Sequence, residues 1–299
     1  GGRSYAGQDD DTISLGAGND VLYYYQYGGS DTIYNFKTGD EIHFDDSKTG
    51  FESLALDGGD LIINTVEDEK LTLKDVKLQT VSIWDNRNWR WYTGTFANST
   101  LDGGGATLGT TYTGTFNASW YADNPDTINA SANRNSIVVY GNDNANVMYG
   151  GEGTTTICAG AGEDTIYCGA GVDKIYFYKD DGNEMVYDIG DGDQVALNDC
   201  SATSVSVSGS DVIITTNYAE TITLKDGTGK NIWISGQNWK TYDAEEISES
   251  AALFVDDNFD SGADLDALIG TGGALANLNY SATDPNEIFA QEITYTSDK

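Results

Sequence analysis

The chain has 299 residues, and 48 acidic against 15 basic side chains give it a formal net charge of −33 at pH 7. A negative charge of this size repels phosphate groups, which argues against nucleic acid as a partner. Aromatic residues make up 11 % of the chain, which favours a folded protein over a disordered acidic one. We therefore expect a fold that uses counter-cations, and the absence of a long apolar run predicts no membrane span.

Glycine-rich units of nine residues begin the chain. Residues 6–14 and 15–23 read AGQDDDTIS and LGAGNDVLY, with aspartate at the sixth position and an aliphatic residue at the eighth. After a two-residue insertion the phrase continues at Asp31-Thr32-Ile33 and Asp40-Glu41-Ile42. Residues 150–176 contain three further units without insertion, GGEGTTTIC, AGAGEDTIY and CGAGVDKIY. A fixed short period of this kind predicts stacked, identical turns.

The chain is also a tandem duplication. Asp20 aligns with Asp173 and Asp40 with Asp193 without a gap, and the surrounding strings GAGNDVLYYY and GAGVDKIYFY match. We predict a first module at 1–95, a connector at 96–124, a second module at 125–242 and an acidic segment at 243–299. The connector is either a flexible linker or a region with strands of its own.

Each module continues with a strand, a glycine turn and a second strand. In module one these are 53–56, 57–60 and 61–63, and in module two 205–207, 208–211 and 212–214. A glycine turn between alternating strands predicts a β-hairpin. Such a hairpin would cover the open end of a stack whose last edge could otherwise pair with another molecule.

The nine-residue units resemble the GGxGxDxUx repeat of the RTX, or haemolysin-type, calcium-binding proteins. The resemblance implies an all-β fold of two tandem parallel β-rolls, right-handed solenoids stacked with calcium, each capped by β-hairpins and followed by a small C-terminal segment. It also implies that six residues of each unit form a turn and three a strand, with several Ca²⁺ ions as the cofactor. Calcium takes six to eight oxygen ligands, and stacked turns offer carboxylates and carbonyls repeatedly.

The resemblance assigns calcium ligation to sixth-position side chains and to turn residues before them. The residues concerned are Asp9, Asp11, Gly16, Gly18, Asp20, Asp31, Asp40, Asn146, Gly151, Gly153, Gly160, Gly162, Asp164, Gly169, Gly171, Asp173, Glu184 and Asp193. Because alternate turns lie on one side, ions are expected between units two apart. The pairs are Asp11 with Asp31, Asp20 with Asp40, Asp164 with Asn146 and Glu184, and Asp173 with Thr155 and Asp193. Since Asn146, Thr155 and Glu184 depart from the aspartate pattern, we expect module two to hold its ions less completely.

The resemblance further implies export by a type I secretion system and folding outside the cell, where calcium is plentiful. It predicts a secreted or bacterial cell-surface protein, with the secretion machinery as a partner. Residues 243–299 resemble an uncleaved C-terminal export signal in composition. The N-terminus looks internal, so we expect a piece of a larger bacterial protein.

The sequence predicts no enzyme. Its single histidine, His43, lies in no HExxH motif, and no GxSxG motif occurs. The cysteines Cys158, Cys168 and Cys200 show no CxxC spacing, and a bridge between the first two stays open.

The tryptophans near the end of each module allow two interpretations. They could cap each stack as apolar plugs, or form an exposed platform that binds glycans, as in an adhesin. The residues considered for glycan binding are Trp84, Trp89, Trp233 and Trp239.

Overall fold

Short strands alternate between sheets along residues 1–235 and 240–243, which the computed structural model describes. The first strands are β1 (Arg3–Tyr5), β2 (Thr12–Ser14), β3 (Val21–Tyr24), β4 (Asp31–Tyr34), β5 (Glu41–Phe44), β6 (Phe51–Asp57), β7 (Asp60–Thr65), β8 (Lys70–Leu73), β9 (Val81–Asp85), β10 (Arg90–Gly94), β11 (Ser99–Asp102), β12 (Gly105–Leu108) and β13 (Gly114–Asn117). The remaining strands are β14 (Thr127–Asn129), β15 (Ile137–Tyr140), β16 (Val147–Tyr149), β17 (Thr155–Cys158), β18 (Thr165–Tyr167), β19 (Lys174–Tyr178), β20 (Glu184–Tyr187), β21 (Gln194–Asn198), β22 (Ala202–Ser208), β23 (Asp211–Thr216), β24 (Thr221–Leu224), β25 (Asn231–Ser235) and β26 (Lys240–Asp243). Trp239 and the predicted export signal beyond residue 243 lie outside the described residues.

The strands form three sheets within the described residues. The longest has the order β1-β3-β5-β9-β10-β13-β15-β17-β19-β21-β25-β26. A second has the order β2-β4-β8-β7-β6, and a third has the order β11-β12-β14-β16-β18-β20-β24-β23-β22. From β13 to β19, each strand pairs in parallel with the strand two places further along the chain. Two strands therefore make one coil, and the predicted all-β fold of parallel β-rolls is confirmed.

The register of the coils follows the nine-residue period. In the long sheet Ile157 lies beside Ile175, and in the facing sheet Ile166 lies beside Val186. All four side chains are buried, because the eighth residue of each unit is the middle of a short strand and points inward, while its neighbours point outward. The core is thus a column of stacked aliphatic side chains.

The predicted hairpins are present. Strands β6 and β7 pair antiparallel and extend the second sheet beside β8, and β22 and β23 extend the third sheet beside β24. The same cap therefore follows each run of coils.

The predicted connector, 96–124, contains strands and is not a plain linker. It holds β11, β12, β13 and two 3-10 helices, Phe96–Asn98 and Ala118–Trp120. Strand β13 pairs antiparallel with β10 at Gly94 and Gly114, which joins the two runs of parallel coils in the long sheet. The domain boundaries given above remain a prediction.

Glycines at the second and fourth positions let successive turns lie directly on one another. A Cβ atom on Gly169 would lie 1.8 Å from the carbonyl oxygen of Gly151, and one on Gly171 would lie 2.5 Å from that of Gly153. The same contact recurs elsewhere in module two: a Cβ on Gly160 would meet the carbonyl oxygen of Asn142, and one on Gly162 that of Asn144. Each turn is therefore closely covered by the carbonyls of the turn before it.

We predict that Gly169→Ala destabilises the protein by about 2 kcal/mol or more, because the new methyl group meets backbone that cannot move without separating two coils. Its counterpart Gly16→Ala is the control, since a Cβ there would meet only the Asp20 carboxylate, at 3.5 Å. Urea unfolding in calcium measures both. Equal midpoints for the two variants would contradict the close stacking.

Candidate metal centre

In several turns the sixth-position side chain accepts a hydrogen bond from a backbone N–H of its own turn. The Gly169 N–H donates to Asp173 Oδ2 at 2.6 Å, and the Gly16 N–H donates to Asp20 Oδ2 at 2.9 Å. Thr155 does the same with its hydroxyl oxygen, which accepts a bond from a backbone N–H at 2.9 Å. A short acceptor at this position therefore suffices to shape the turn.

The second carboxylate oxygen links one coil to the next. The Thr155 N–H donates to Asp173 Oδ1 at 2.7 Å, and the Asp173 N–H donates to Asp193 Oδ1 at 2.8 Å. The same bond joins Asp11 to Asp31 at 2.7 Å, Asp20 to Asp40 at 2.9 Å and Asn146 to Asp164 at 2.6 Å. These residues are the pairs that the spacing predicted to face each other.

These hydrogen bonds leave capacity for a cation. A carboxylate oxygen has two lone pairs, so one that accepts a bond from an N–H can still coordinate a metal. In addition, four buried carboxylate oxygens of the described residues have no hydrogen-bond partner: Oδ2 of Asp31, Oδ2 of Asp164, and Oε1 and Oε2 of Glu184. Buried, unpartnered carboxylate oxygens are costly unless a cation offsets them. Together with the carbonyls of the turns, they form the hard oxygen set that calcium prefers.

The strongest such concentration lies between β18 and β20. Asp164 and Glu184 are 1 % and 2 % exposed, and Asp181 beside them is buried as well. Burial first, and then repulsion by Asp164 and Asp181, raises the pKa of Glu184 to about 9. Burial likewise raises the pKa of Asp164 to about 7 and that of Asp181 to about 6. Glu184, the departure from the aspartate pattern, thus brings a buried carboxylate to the site.

Sequence reasoning missed Asp181. A parallel bridge joins Gly162 to Gly182, which places Gly182 at the fourth position of its turn and Glu184 at the sixth. Asp181 precedes that glycine in a unit that begins two residues later than the nine-residue period predicts, as in module one before Asp31. Aligning this unit on Gly182 places Asp181 at its third position.

In module one, Asp31 is the buried counterpart. It is 1 % exposed, and burial raises its pKa to about 6, with Asp11, Asp10 and Glu69 adding to the shift by repulsion. The predicted ligand Asp9 is exposed, and its backbone carbonyl, not its carboxylate, covers the next turn. Glu69 lies in the loop before β8, which is close to Asp31 in space but outside the nonapeptides in sequence. The repeat pattern therefore did not point to it.

The ammonium group of Lys37 lies between the carboxylates of Asp20 and Asp40. The Nζ atom of Lys37 lies 2.9 Å from the carbonyl oxygen of Gly16, 2.5 Å from that of Gly18 and 2.8 Å from Asp40 Oδ1. Asp20 Oδ2 lies 3.9 Å away. The oxygens predicted to hold an ion here thus contact an ammonium group.

The tryptophans and the histidine that the sequence singled out lie outside the acidic turns. Trp89 is 78 % exposed, and Trp91 and Trp233 are also exposed, so these side chains do not act as buried plugs. Trp84 is half-buried and packs 5.4 Å from the Trp91 ring. His43 Nε2 lies 2.7 Å from Glu41 Oε2.

The cysteines are free and buried, with no bridge between Cys158 and Cys168. Ligand atoms of Cys168, Asp173 and Asp193 lie within 4.8 Å of one another. The thiol therefore lines a sixth-position turn of module two.

The fold and its turns define a β-roll whose acidic turns repeat along the stack. A model of the RTX calcium-binding nonapeptide repeat matches in four copies, at residues 3–24, 123–157, 140–175 and 149–182. The chain therefore carries RTX calcium-binding nonapeptide repeats, as predicted. Such repeats bind calcium ions, so calcium is the cofactor of this chain.

Other comparisons add little. A search of curated proteins found no match. Among solved structures, the extracellular lipase LipA from Serratia marcescens is similar with 16 % identity and a TM-score of 0.25, over 76 % of this chain and 38 % of the lipase. The chain thus spans well under half of that lipase, and a similarity this low carries no argument about activity. Within the described residues no helix has the length and apolar character needed to cross a membrane.

We predict that the calcium-free protein loses stability as pH rises from about 4 to about 9. The unfolded carboxyls ionise at their ordinary values of 4.5 for Glu and 3.8 for Asp, while folded Glu184 and Asp164 keep their protons to about pH 9 and 7. The unfolded state therefore binds fewer protons than the folded state, and stability falls with pH. We expect Glu184 to contribute on the order of 2 to 4 kcal/mol of this loss by pH 7.5.

Glu184→Gln should flatten the dependence, measured by circular dichroism as the folded fraction in metal-depleted buffer at pH 5 and pH 7.5. Glu163→Gln, which removes an exposed carboxylate from the same turn as Asp164, is the matched control. Identical pH profiles for the wild type and Glu184→Gln would contradict the assignment.

Proposed function

We propose that this chain is a structural module of a larger secreted or cell-surface bacterial protein, and that it folds when calcium binds outside the cell. The observation that carries the proposal is the set of buried carboxylate oxygens without partners at Asp31, Asp164 and Glu184. Within the described residues, Asp164 and Glu184 have no lysine or arginine in an ion pair with them. A divalent cation offsets their repulsion and joins two coils at once.

Binding and folding are then the same event. The ligands come from turns about two units apart in sequence, and they meet only once the coils are stacked. Because the unfolded chain has no preformed site, the free energy of calcium binding stabilises the folded state alone. A chain with a net charge of −33 would stay unfolded where calcium is scarce, which suits export through a type I system. Residues 243–299 are the proposed export signal for that system.

The proposal assigns no turnover to the chain. The usual proton carrier, histidine, occurs once, and His43 is engaged by Glu41 on an outward-facing strand position. Among the described residues, the acids of the turns have a role in hydrogen bonding, and we assign them to binding the ion and not to catalysis.

We predict that the protein is largely unfolded in chelator at neutral pH and gains its β-sheet spectrum in millimolar calcium. Circular dichroism during a calcium titration measures this. Millimolar magnesium should not replace calcium, since magnesium demands a tight octahedron and gives up its waters reluctantly. An unchanged β-sheet spectrum in chelator would refute calcium-driven folding, and refolding by magnesium alone would show that the ligand sets are wrong.

Glycan binding is a second candidate, favoured by one observation. A row of rings crosses the first strands of the long sheet, with centroids 5.3 Å apart from Tyr5 to Tyr23, from Tyr23 to His43 and from His43 to Trp91. Tyr5 and Trp91 are exposed at the two ends of this row, and exposed rings can stack on sugar rings. The net charge of the chain favours neutral over anionic glycans.

Tryptophan fluorescence with neutral oligosaccharides tests this candidate. We expect a saturable change that Trp91→Ala weakens and that Tyr218→Ala, which removes an exposed ring from the other module, leaves intact. No saturable change with any neutral glycan on an array would exclude it.

A further inference from the structure

Lys37 occupies the middle of an oxygen set that the repeat otherwise provides for an ion. Its Nζ atom contacts the carbonyls of Gly16 and Gly18, at the second and fourth positions of one turn, and both oxygens of Asp40, at 2.8 and 3.1 Å. Asp20 Oδ2, at 3.9 Å, completes the set. Glycine carbonyls and the sixth-position carboxylates of two coils are therefore all directed at one ammonium group.

This arrangement differs from an ordinary surface ion pair. The Asp40 side chain is fully buried and that of Lys37 is 32 % exposed, so the ammonium group is paired with a carboxylate that solvent does not reach. An exposed pair would contribute little and would involve one carboxylate. Here two backbone carbonyls and two carboxylates converge, which is the mixture of oxygens that calcium takes.

The duplicated module provides the comparison. Gly190 stands at the position equivalent to Lys37, and the backbone is the same: the Lys37 N–H donates to Asp40 Oδ2 at 3.0 Å, and the Gly190 N–H donates to Asp193 Oδ2 at 2.7 Å. In module two, ligand atoms of Asp173, Asp193 and Cys168 lie within 4.8 Å of one another. The chain thus contains the same set of turns twice, once with a lysine side chain inserted.

We propose that the ammonium group of Lys37 takes the place of the calcium ion between the coils of Asp20 and Asp40, so that this step of the first β-roll closes without calcium. The proposal rests on the calcium-binding function given above, and it revises the expectation that Asp20 and Asp40 hold an ion. A covalently attached cation is present at every calcium concentration. The first module therefore has a point at which two coils can stack before any ion binds, whereas the equivalent coils of module two must wait for calcium.

Calcium stoichiometry tests the proposal. Lys37→Gly gives module one the residue of module two, and native mass spectrometry of the calcium-loaded protein should show one more bound ion per chain than the wild type. Gly190→Lys makes the reverse change and should show one ion fewer. Lys77→Gln, which removes an exposed positive charge elsewhere, should leave the number unchanged and controls for net charge.

The circular dichroism titration supplies a second readout. Lys37→Gly should need a higher calcium concentration at its folding midpoint, by about threefold or more, and Gly190→Lys a lower one. An unchanged stoichiometry in both Lys37→Gly and Gly190→Lys, with both folded, would overturn the proposal while leaving calcium-driven folding intact. If Lys37→Gly does not fold, the ion count of Gly190→Lys decides alone. A wild type that binds no calcium would instead refute the proposed function itself.

Discussion

The stability of the structure depends on offsetting the repulsion between carboxylates, because the period of the coils places these groups one above another. The sixth-position carboxylates Asp20, Asp40, Asp173 and Asp193 are each fixed from two directions, by an N–H of their own turn and by an N–H of the coil before them. The stacked coils also hold carboxyl groups close together and away from solvent, as at Asp164 and Glu184. Such an arrangement is stable only where positive charge is supplied, and the sequence provides few basic side chains to do so.

The same hydrogen bonds explain which substitutions the repeat tolerates. Thr155 and Asn146 each keep an oxygen that can accept a bond from the N–H four residues earlier, so their turns retain their shape while losing a charge. Glu184 is one methylene longer, and its oxygens lie in the buried space between coils without accepting a hydrogen bond of normal geometry. The three departures therefore differ in kind: the first two replace a charged ligand by a neutral oxygen, whereas the third keeps the charge and moves it.

Much of the fold could be predicted from spacing alone, because a nine-residue period leaves a single register in which the eighth residue of each unit points into the core. The hairpin caps followed from their glycine turns. Facing pairs such as Asp11 with Asp31 and Asp173 with Asp193 followed from the number of residues that separates two turns on the same side. Lys37 could not be found this way. It lies where the glycine pattern is interrupted. Its long side chain contacts a turn about twenty residues earlier in the sequence, and the two are close only once the coils have stacked. Asp181 and Glu69 were missed for the related reason that insertions and loops carry them outside the period.

The most direct test of the account is an anomalous difference map from crystals grown in calcium and soaked with a lanthanide, which replaces calcium at oxygen sites and scatters strongly. We expect peaks between successive coils beside Asp31, beside Asp164 and Glu184, and between Asp173 and Asp193, with none where the Lys37 ammonium lies between Asp20 and Asp40. Peaks confined to surface acids, with the turns between coils free of density, would contradict the claim that cations hold the stacked carboxylates together.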